Sequence, residues 1–250
     1  MLKSSRIKTS TNSDSVKGHA VHNKILLALP KGEYSAIFSR MEFVSLPAPT
    51  LLNEIGKPIK FVFFLNQGLA SVLSIMADGK TVEVGLSGKE GFVGIPLSAG
   101  LSTSPTRVIM QVGGSGFRIA AKDLAVALPQ APVLAASLRR FAQEMALQAS
   151  QVAACNRLHA IDERLARWLL MSQDRLSGDI VPLTQEFLAH MLGTRRASVT
   201  VAAGHLQKAG IITYKRGSVK IEKRSQLEGA ACECYKNMIQ QIQKWKAEAS

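Results

Sequence analysis

Basic side chains are concentrated, without acidic neighbours, in one stretch near the C-terminal end of the chain. Residues 187–221 contain no Asp or Glu. A solvated surface normally mixes charges of both signs, so an unmixed basic surface indicates a polyanionic partner. The planar guanidinium of an arginine can also donate two parallel hydrogen bonds to O6 and N7 of guanine, which allows it to distinguish bases. The basic residues of this stretch are Arg195, Arg196, Lys208, Lys215, Arg216 and Lys220.

Residues 183–210 have the spacing of two short helices joined by a tight turn. We expect Thr184 to cap the first helix, and Gly193 to end it by allowing a left-handed backbone. We expect Thr194 to cap a second helix over residues 195–208, which Gly210 then ends. The apolar residues that face inward are Phe187, Leu188 and Leu192 on the first helix, with the small Ala189, and Val199, Ala202 and Leu206 on the second.

The residues after Gly210 complete a winged helix-turn-helix pattern. They predict two short strands around a turn at residues 216–218. The outward residues at the start of the second helix are then placed to meet base edges in a major groove, and the basic wing is suited to phosphate contact. The residues predicted to contact DNA are Gln185, Arg195, Arg196, Ser198, Thr200, Val201, Lys208, Lys215 and Arg216.

This stretch resembles the C-terminal domain of the Crp/Fnr superfamily of bacterial transcription regulators, and the resemblance extends upstream to about Asn23. Family members contact DNA with an Arg near the start of the second helix, an acidic residue beside it and often another Arg one turn later. The matching positions here are Arg196, Ala197 and Val201, of which only Arg196 fits. The resemblance therefore implies an operator different from that of the cyclic-AMP receptor protein. It suggests Arg196 for guanine, Val201 for a thymine methyl, and Arg195, Ser198 and Gln185 for phosphates.

The N-terminal half has the pattern of an antiparallel β-domain. Residues 22–40 predict two short helices interrupted by Pro30 and Gly32. From Met41, short apolar runs alternate with turn signals at residues 55–58, 66–68, 78–80 and 87–91, and glycines at 113, 114 and 116 divide the last run. We therefore predict an α+β protein with an N-terminal antiparallel β-roll (jelly-roll-like) sensor domain, a long dimerisation helix and a C-terminal winged helix-turn-helix domain.

Residues 54–58 and 78–86 also resemble the cyclic-nucleotide-binding-like domain of that superfamily. In members that bind nucleotides, a Gly-rich turn is followed by a Glu that holds the ribose and later by an Arg that neutralises the phosphate. Here Ile95 replaces the Glu, and Ser104 stands at the phosphate position. We expect no cyclic AMP, and either a different effector or a purely structural pocket. The candidate pocket residues are Gly91, Phe92, Gly94, Ile95 and Arg107.

The longest helical stretch follows Pro129 and covers about residues 131–158. Its apolar residues recur in steps of three and four, a heptad pattern that predicts a coiled-coil homodimer. The alternative is that the same face packs against the protein's own β-domain. The residues of this seam are Leu134, Leu138, Phe141, Met145, Gln148, Val152 and Cys155.

These elements divide the 250 residues into five parts. We predict a disordered basic tail over residues 1–20, the sensor domain over 21–128, the dimerisation helix over 129–158, the winged helix-turn-helix over 159–226 and a C-terminal helix over 227–250. The formal charge of +13 suits the DNA partner, and an activator would also contact RNA polymerase. No segment has the length of a signal peptide or a membrane span, which predicts a cytoplasmic protein.

The residues that commonly perform catalysis or bind metals are scattered. We expect no enzyme, no catalytic residue and no iron–sulfur cluster, because the family branch with such a cluster has cysteines near its N-terminus. Cys155, Cys232 and Cys234 are interpreted as buried or bystander thiols without a metal. The remaining alternative is a ligand-binding or protein-interaction module that has only non-specific affinity for DNA.

Overall fold

The computed structural model describes residues 15, 16, 18–215 and 217–248, with the side chains of residues 15, 16, 185 and 186 outside the description. Its N-terminal half is a small β-barrel with short helices at one edge. The elements are β1 (Ser15–Val16), β2 (His19–Ala20), α1 (Lys24–Leu27), α2 (Lys31–Phe38), β3 (Glu42–Leu46), β4 (Leu51–Asn53), β5 (Phe61–Ile75), β6 (Thr81–Ser87), β7 (Arg107–Ala120) and α3 (Ala121–Ala127).

The main sheet is antiparallel throughout, with the order β3-β7-β5-β6 and with β4 also paired to β7. Its inner face buries an aromatic and aliphatic core that includes Phe64, Phe92 and Phe117. The two predicted helices of residues 22–40 are present, and Asn23 caps α1 by accepting from two backbone N–H groups. The predicted α+β class and the β-roll are confirmed.

Two predicted turns are wrong, because β5 and β7 are long, bent strands that continue through residues 66–68 and 113–116. Their register shifts repeatedly near Gln67, which bends the pair as β-bulges do. The glycines allow the two backbones to approach closely. A Cβ on Gly114 would lie 2.1 Å from the carbonyl oxygen of Gln67, and one on Gly116 would lie 2.4 Å from that of Phe64.

The structure describes residues 15, 16 and 18–20 of the segment that the sequence predicts as a disordered tail over residues 1–20. Residues 1–14 and 17 lie outside the described part of the chain. Strands β1 and β2 pair with each other, and the His19 ring stacks on Phe43 with ring centroids 3.8 Å apart.

Helix α4 (Pro132–Leu158) is the predicted long helix, but its heptad seam faces the protein's own interior. Leu134, Leu138, Phe141 and Met145 belong to the core beneath the barrel. The amide of Gln148 accepts from Leu86 N (2.7 Å) and donates to Leu86 O (3.4 Å). The predicted assignment of this seam to a dimer interface is therefore wrong, because all of its side chains are buried within one chain: Leu134, Leu138, Phe141, Met145, Gln148, Val152 and Cys155.

The C-terminal part contains α5 (Ile161–Arg175), β8 (Ile180–Pro182), α6 (Gln185–Met191), α7 (Arg196–Lys208), β9 (Ile212–Lys215) and β10 (Ser218–Ile221). The two predicted wing strands form, and β8 adds a third in the order β8-β10-β9. Sequence reasoning missed β8, although a short β-branched run between Gly178 and Pro182 is a strand signal.

The C-terminal segment forms two helices where one was predicted. These are α8 (Arg224–Ala230) and α9 (Glu233–Glu248), and α9 packs along α4. Within the described residues, none of the helices combines the length and the apolar character that a membrane crossing requires.

We predict that Gly114→Ala destabilises the fold, because the added methyl would collide with the backbone of β5 rather than with a flexible side chain. Overpacking of this kind costs about 1–3 kcal/mol or more of unfolding free energy. Gly32→Ala is the matched control, since a Cβ at that position in α2 meets nothing within 4 Å. Urea unfolding measures both, and equal stability of the two variants would contradict the close approach of β5 and β7.

Candidate nucleic-acid interface

Helix α7 is oriented by a stripe of small and aliphatic residues on its inner face. Val199, Ala202, Ala203 and Leu206 are buried in one core with Leu188 and other residues of α5 and α6. Because this stripe faces inward, the first two turns of α7 present their other residues to solvent. Arg195, Arg196, Ala197, Thr200 and Val201 are exposed, and Ser198 is half-buried.

The turn before α7 differs in one respect from the prediction. Gly193 has the expected left-handed backbone (φ 58°), and Thr184 caps α6 by accepting from Phe187 N at 3.2 Å. Thr194, however, does not cap α7: its N–H donates to Ala189 O and closes α6. Arg195 occupies the N-cap position and makes no side-chain capping bond. The N-terminus of α7, with its positive dipole end, therefore opens towards solvent without a side-chain cap.

Four of the predicted basic contact residues are exposed and have no carboxylate within 4.0 Å in the described part of the chain: Arg195, Arg196, Lys208 and Lys215. Lys220 differs, because it pairs with Glu222 at 2.8 Å. The Thr200 hydroxyl donates to Arg196 O (3.0 Å). Arg216 lies outside the described residues, as does the side chain of Gln185.

The candidate effector pocket is nearly filled by the protein's own side chains. A cavity of ≈ 30 Å³ remains, lined in part by Phe92, Gly94, Ile95, Ser104 and Met145. This volume holds one or two waters, whereas sites for small-molecule ligands usually measure about 300–1,000 Å³. Gly91 is needed for packing, since a Cβ there would lie 1.9 Å from the ring of Phe141.

Arg107 does not line this cavity, although the sequence predicted it as a pocket residue. Its guanidinium makes three contacts of 2.7–3.1 Å with the carboxylate of Glu54. The hydrogen bond from Arg107 and one from Ile55 N lower the pKa of Glu54. Ser104, which the sequence placed at the phosphate position, does line the cavity, but its hydroxyl donates to Thr106 O (2.7 Å).

A buried carboxyl group connects the barrel to α5, and sequence reasoning missed it. Glu83 of β6 accepts from Trp168 Nε1 (2.7 Å), and its second oxygen lies 2.7 Å from Ser71 Oγ. Burial raises the pKa of Glu83 to about 7, although hydrogen bonds from Ser71 and Trp168 and the charge of Arg167 oppose the rise.

Further contacts hold α5 and α6 against the barrel. Arg175 of α5 pairs with Glu90 at 2.8 Å, and Gly193 lies against Val82 of β6. Arg164 of α5 donates to Leu192 O at the end of α6. Helix α7, which packs on α5 and α6, is therefore positioned by the barrel as well as by its neighbouring helices.

The three thiols are not scattered in space. Cys155, Cys232, Cys234 and His159 come together where α4 ends and α9 begins. The sequence did not reveal this cluster, because Cys155 and Cys232 are 77 residues apart and no spacing rule connects them.

Comparison with known proteins agrees with this geometry. Residues 163–230 match the family model of the Crp-like helix-turn-helix domain. No curated protein is significantly similar to the chain in sequence.

Solved structures share the fold at low sequence identity. A protein from Eubacterium rectale assigned to the Crp/Fnr family is 13% identical, with a TM-score of 0.64, and the match covers 83% of this chain and 97% of that one. FixK2 from Bradyrhizobium japonicum is 15% identical, with a TM-score of 0.63 and coverage of 77% and 98%. The c-di-GMP responsive global regulator CLP of Xanthomonas campestris is 17% identical, with a TM-score of 0.63 and coverage of 77% and 99%.

We predict that the free energy of unfolding decreases as the pH rises from about 4.5 to about 8, because Glu83 becomes ionised in the folded protein. A carboxyl whose pKa is raised in the fold stabilises the native state when protonated, and this contribution is lost as pH rises through the folded pKa. Because the fold raises the pKa of Glu83 from 4.5 to about 7, the free energy of unfolding should decrease by about 3 kcal/mol.

Glu83→Gln removes this titration and keeps the shape of the side chain. The variant should match the wild type near pH 4.5 and be more stable by pH 8, as measured by urea unfolding at each pH. Glu248→Gln, at an exposed position of α9, is the control. Parallel curves for wild type and Glu83→Gln across this range would show that Glu83 does not carry the raised pKa.

Proposed function

We propose that this chain is a transcription regulator of the Crp/Fnr type that binds a palindromic operator as a homodimer, because residues 163–230 match the Crp-like helix-turn-helix domain and the chain shares the fold of Crp/Fnr regulators. The observation that carries the proposal is the outward face of α7, where Arg195 and Arg196 are exposed at the helix N-terminus and, within the described residues, have no carboxylate partner.

Base recognition is assigned to Arg196 and Val201. Arg196 is exposed in the first turn of α7, where a bidentate contact with O6 and N7 of guanine is sterically open. Val201 is 56% exposed, unusual for a β-branched residue on a helix with an apolar inner face, and it suits a thymine methyl. Ala197 leaves the acidic position of the family pattern without a carboxylate, so the operator should differ from that of the cyclic-AMP receptor protein.

Phosphate contact is assigned to the surrounding groups. Within the described residues, the first backbone N–H groups of α7 have no side-chain cap, and a helix N-terminus binds anions through such groups and its dipole. The exposed Arg195, Lys208 and Lys215 supply further positive charge. Ser198, Thr200, Gln185 and Arg216 complete the predicted set.

We assign dimerisation to the outward face of α4, since the inner face is buried in the chain's own core. Small residues recur on this outward face in steps of three and four, among them Ala146, Ser150 and Ala153, and all three are exposed. Small side chains permit two helices of this length to pack closely along a two-fold axis. In such a dimer the two copies of α7 would lie about one DNA turn apart, and each could contact one half-site of the operator.

Control is assigned to an effector other than cyclic AMP. The barrel cavity is too small for a nucleotide, Ser104 stands at the phosphate position, and Arg107, the nearest arginine in sequence, is paired with Glu54. An effector that altered the contacts of Glu83 or Glu90 with α5 would move α7 relative to the barrel. In this proposal the regulator acts in the cytoplasm, and contact with RNA polymerase is the route by which it would activate transcription.

We predict that selection of bound duplexes from a random pool recovers an inverted repeat with half-sites about one helical turn apart. Binding to the recovered site should exceed binding to random DNA at every salt concentration. If no motif emerges, with or without cell extract as an effector source, and affinity depends only on salt, the protein is instead a module with non-specific DNA affinity.

On the recovered operator, Arg196→Ala should weaken binding by about 1–3 kcal/mol and relax the preference at a single base position. Arg195→Ala is the matched control: it removes an equal charge one residue away, and should weaken binding to specific and random duplexes alike. An equal loss for Arg196→Ala on both kinds of DNA would reassign that residue to phosphate contact.

We expect Ala146→Glu to convert the dimer into monomers, because it places two carboxylates near the two-fold axis at close range. Ala77→Glu adds the same charge at an exposed turn between β5 and β6 and should leave the mass unchanged. Light scattering after gel filtration measures both. A wild-type monomer, or a dimer of Ala146→Glu, would contradict the assigned face.

A further inference from the structure

Three cysteines and one histidine converge at the junction between the long helix and the C-terminal helix. Cys155 lies in the last turn of α4, and His159 follows four residues later at its C-cap. Cys232 and Cys234 flank the first residue of α9. The three sulfurs and a ring nitrogen all lie within 4.8 Å of one another, and all three thiols are buried.

The distances suit a single tetrahedral ion. Cys155 Sγ lies 3.4 Å from Cys232 Sγ, and Cys234 Sγ lies 3.4 Å from His159 Nδ1. Zinc binds sulfur at about 2.3 Å and imidazole nitrogen at about 2.0–2.1 Å, so tetrahedral geometry separates neighbouring ligand atoms by about 3.5–3.8 Å, close to the distances here. An iron–sulfur cluster requires more widely spaced cysteines, because inorganic sulfides and several iron atoms lie between them.

The groups around the ligands also match a metal site. His159 presents Nδ1 to the thiols, while its Nε2 lies 3.2 Å from a carboxylate oxygen of Glu233. A carboxylate that accepts from the distal nitrogen fixes the ligating tautomer and is the usual partner of a zinc-bound histidine. Gln151 Nε2 donates to Cys234 Sγ at 3.1 Å, as outer groups do to metal-bound thiolates.

The surrounding charge favours an anionic complex. Three thiolates and one divalent ion carry a net charge of −1. Arg167 of α5 is only 2% exposed, its charge acts on the Cys155 sulfur, and its Nε has no hydrogen-bond partner in the described part of the chain. Arg164 is half-buried on the same helix and also acts on Cys155 and Cys232. Within the described residues neither arginine has a carboxylate within 4.0 Å, and a buried arginine is costly unless a negative group compensates it.

We propose that Cys155, His159, Cys232 and Cys234 form a Cys3His site for one zinc ion. Binding releases the three thiol protons to solvent and leaves no open coordination position, which is typical of a structural zinc. Two ligands precede the helix-turn-helix match at residues 163–230 and two follow it. The ion would therefore clamp both ends of the DNA-binding domain and hold α9 against the end of α4.

The first test is the metal content of the full-length chain, purified without a histidine tag under reducing conditions. We expect about one zinc per chain. After chelation and dialysis, Co²⁺ should give the visible absorption of a tetrahedral ion together with a thiolate-to-cobalt band. Cys234→Ser should lose this spectrum, whereas His190→Ala, on the exposed side of α6, should retain it.

Two milder variants distinguish ligation from simple loss of folding. His159→Cys should still bind one ion, with a stronger thiolate-to-cobalt band because four sulfurs replace three. Glu233→Ala keeps all four ligands and should weaken zinc binding about 10–100-fold in competition with a chromophoric chelator. Hydrogen exchange of α9 should be slower in the zinc-loaded protein than in the metal-free protein.

Three results would overturn the assignment. The first is a reduced, folded wild-type chain that takes up neither Zn²⁺ nor Co²⁺. The second is a Cys155–Cys232 disulfide in the purified protein whose reduction does not restore metal uptake. The third is anaerobic reconstitution that yields iron–sulfur absorption in place of a mononuclear site.

Discussion

The packing of α4 against the barrel is the constraint on which the other parts of this molecule depend. Its apolar stripe fills the underside of the β-roll, from Leu134 to Met145, and continues to Cys155 at the junction with α9. In this contact Met145 lines the small cavity that remains in the barrel, the Phe141 ring packs against Gly91, and small residues of α4 face outward.

Polar contacts also connect the barrel to α5. Glu83 and Glu90 of the barrel bind Trp168 and Arg175 of α5, so a movement in the sheet is transmitted to the helix that supports α6 and α7. Buried polar contacts of this kind are directional, and breaking one leaves an unsatisfied group in a low-dielectric environment. They therefore favour one arrangement of α5 against the barrel.

The proposed zinc ion would also hold the helices that connect the barrel to the DNA-binding domain. Its ligands lie where α4 passes into α5 and where α8 passes into α9, so the ion would fix the two ends of the DNA-binding domain relative to each other. Together, the proposed ion at the ends of the domain and the polar contacts of Glu83 and Glu90 would hold α5 against the barrel.

The sequence pattern was sufficient to predict those features of the fold that depend on residues close together in the chain. The Thr184 cap, the glycines and the apolar periodicity of residues 183–210 predicted both helices of the helix-turn-helix and the outward face of the second, because these features arise from hydrogen bonds and side-chain directions within a few residues. The exposure of Arg195 and Arg196 was predictable for the same reason, whereas the predicted cap at Thr194 was wrong. The heptad spacing correctly indicated that one face of α4 is buried.

Only the tertiary structure decided what each buried face contacts. A periodic apolar stripe specifies burial but not its partner, so the choice between a second chain and the protein's own barrel depended on Phe92 and Leu86, which lie far away in sequence. The long strands β5 and β7 continue through their glycines because each backbone closely approaches the other. Glu83 meets Trp168, and Cys155 meets Cys232, across some 80 residues, and no spacing rule encodes such contacts because they exist only once the chain has folded.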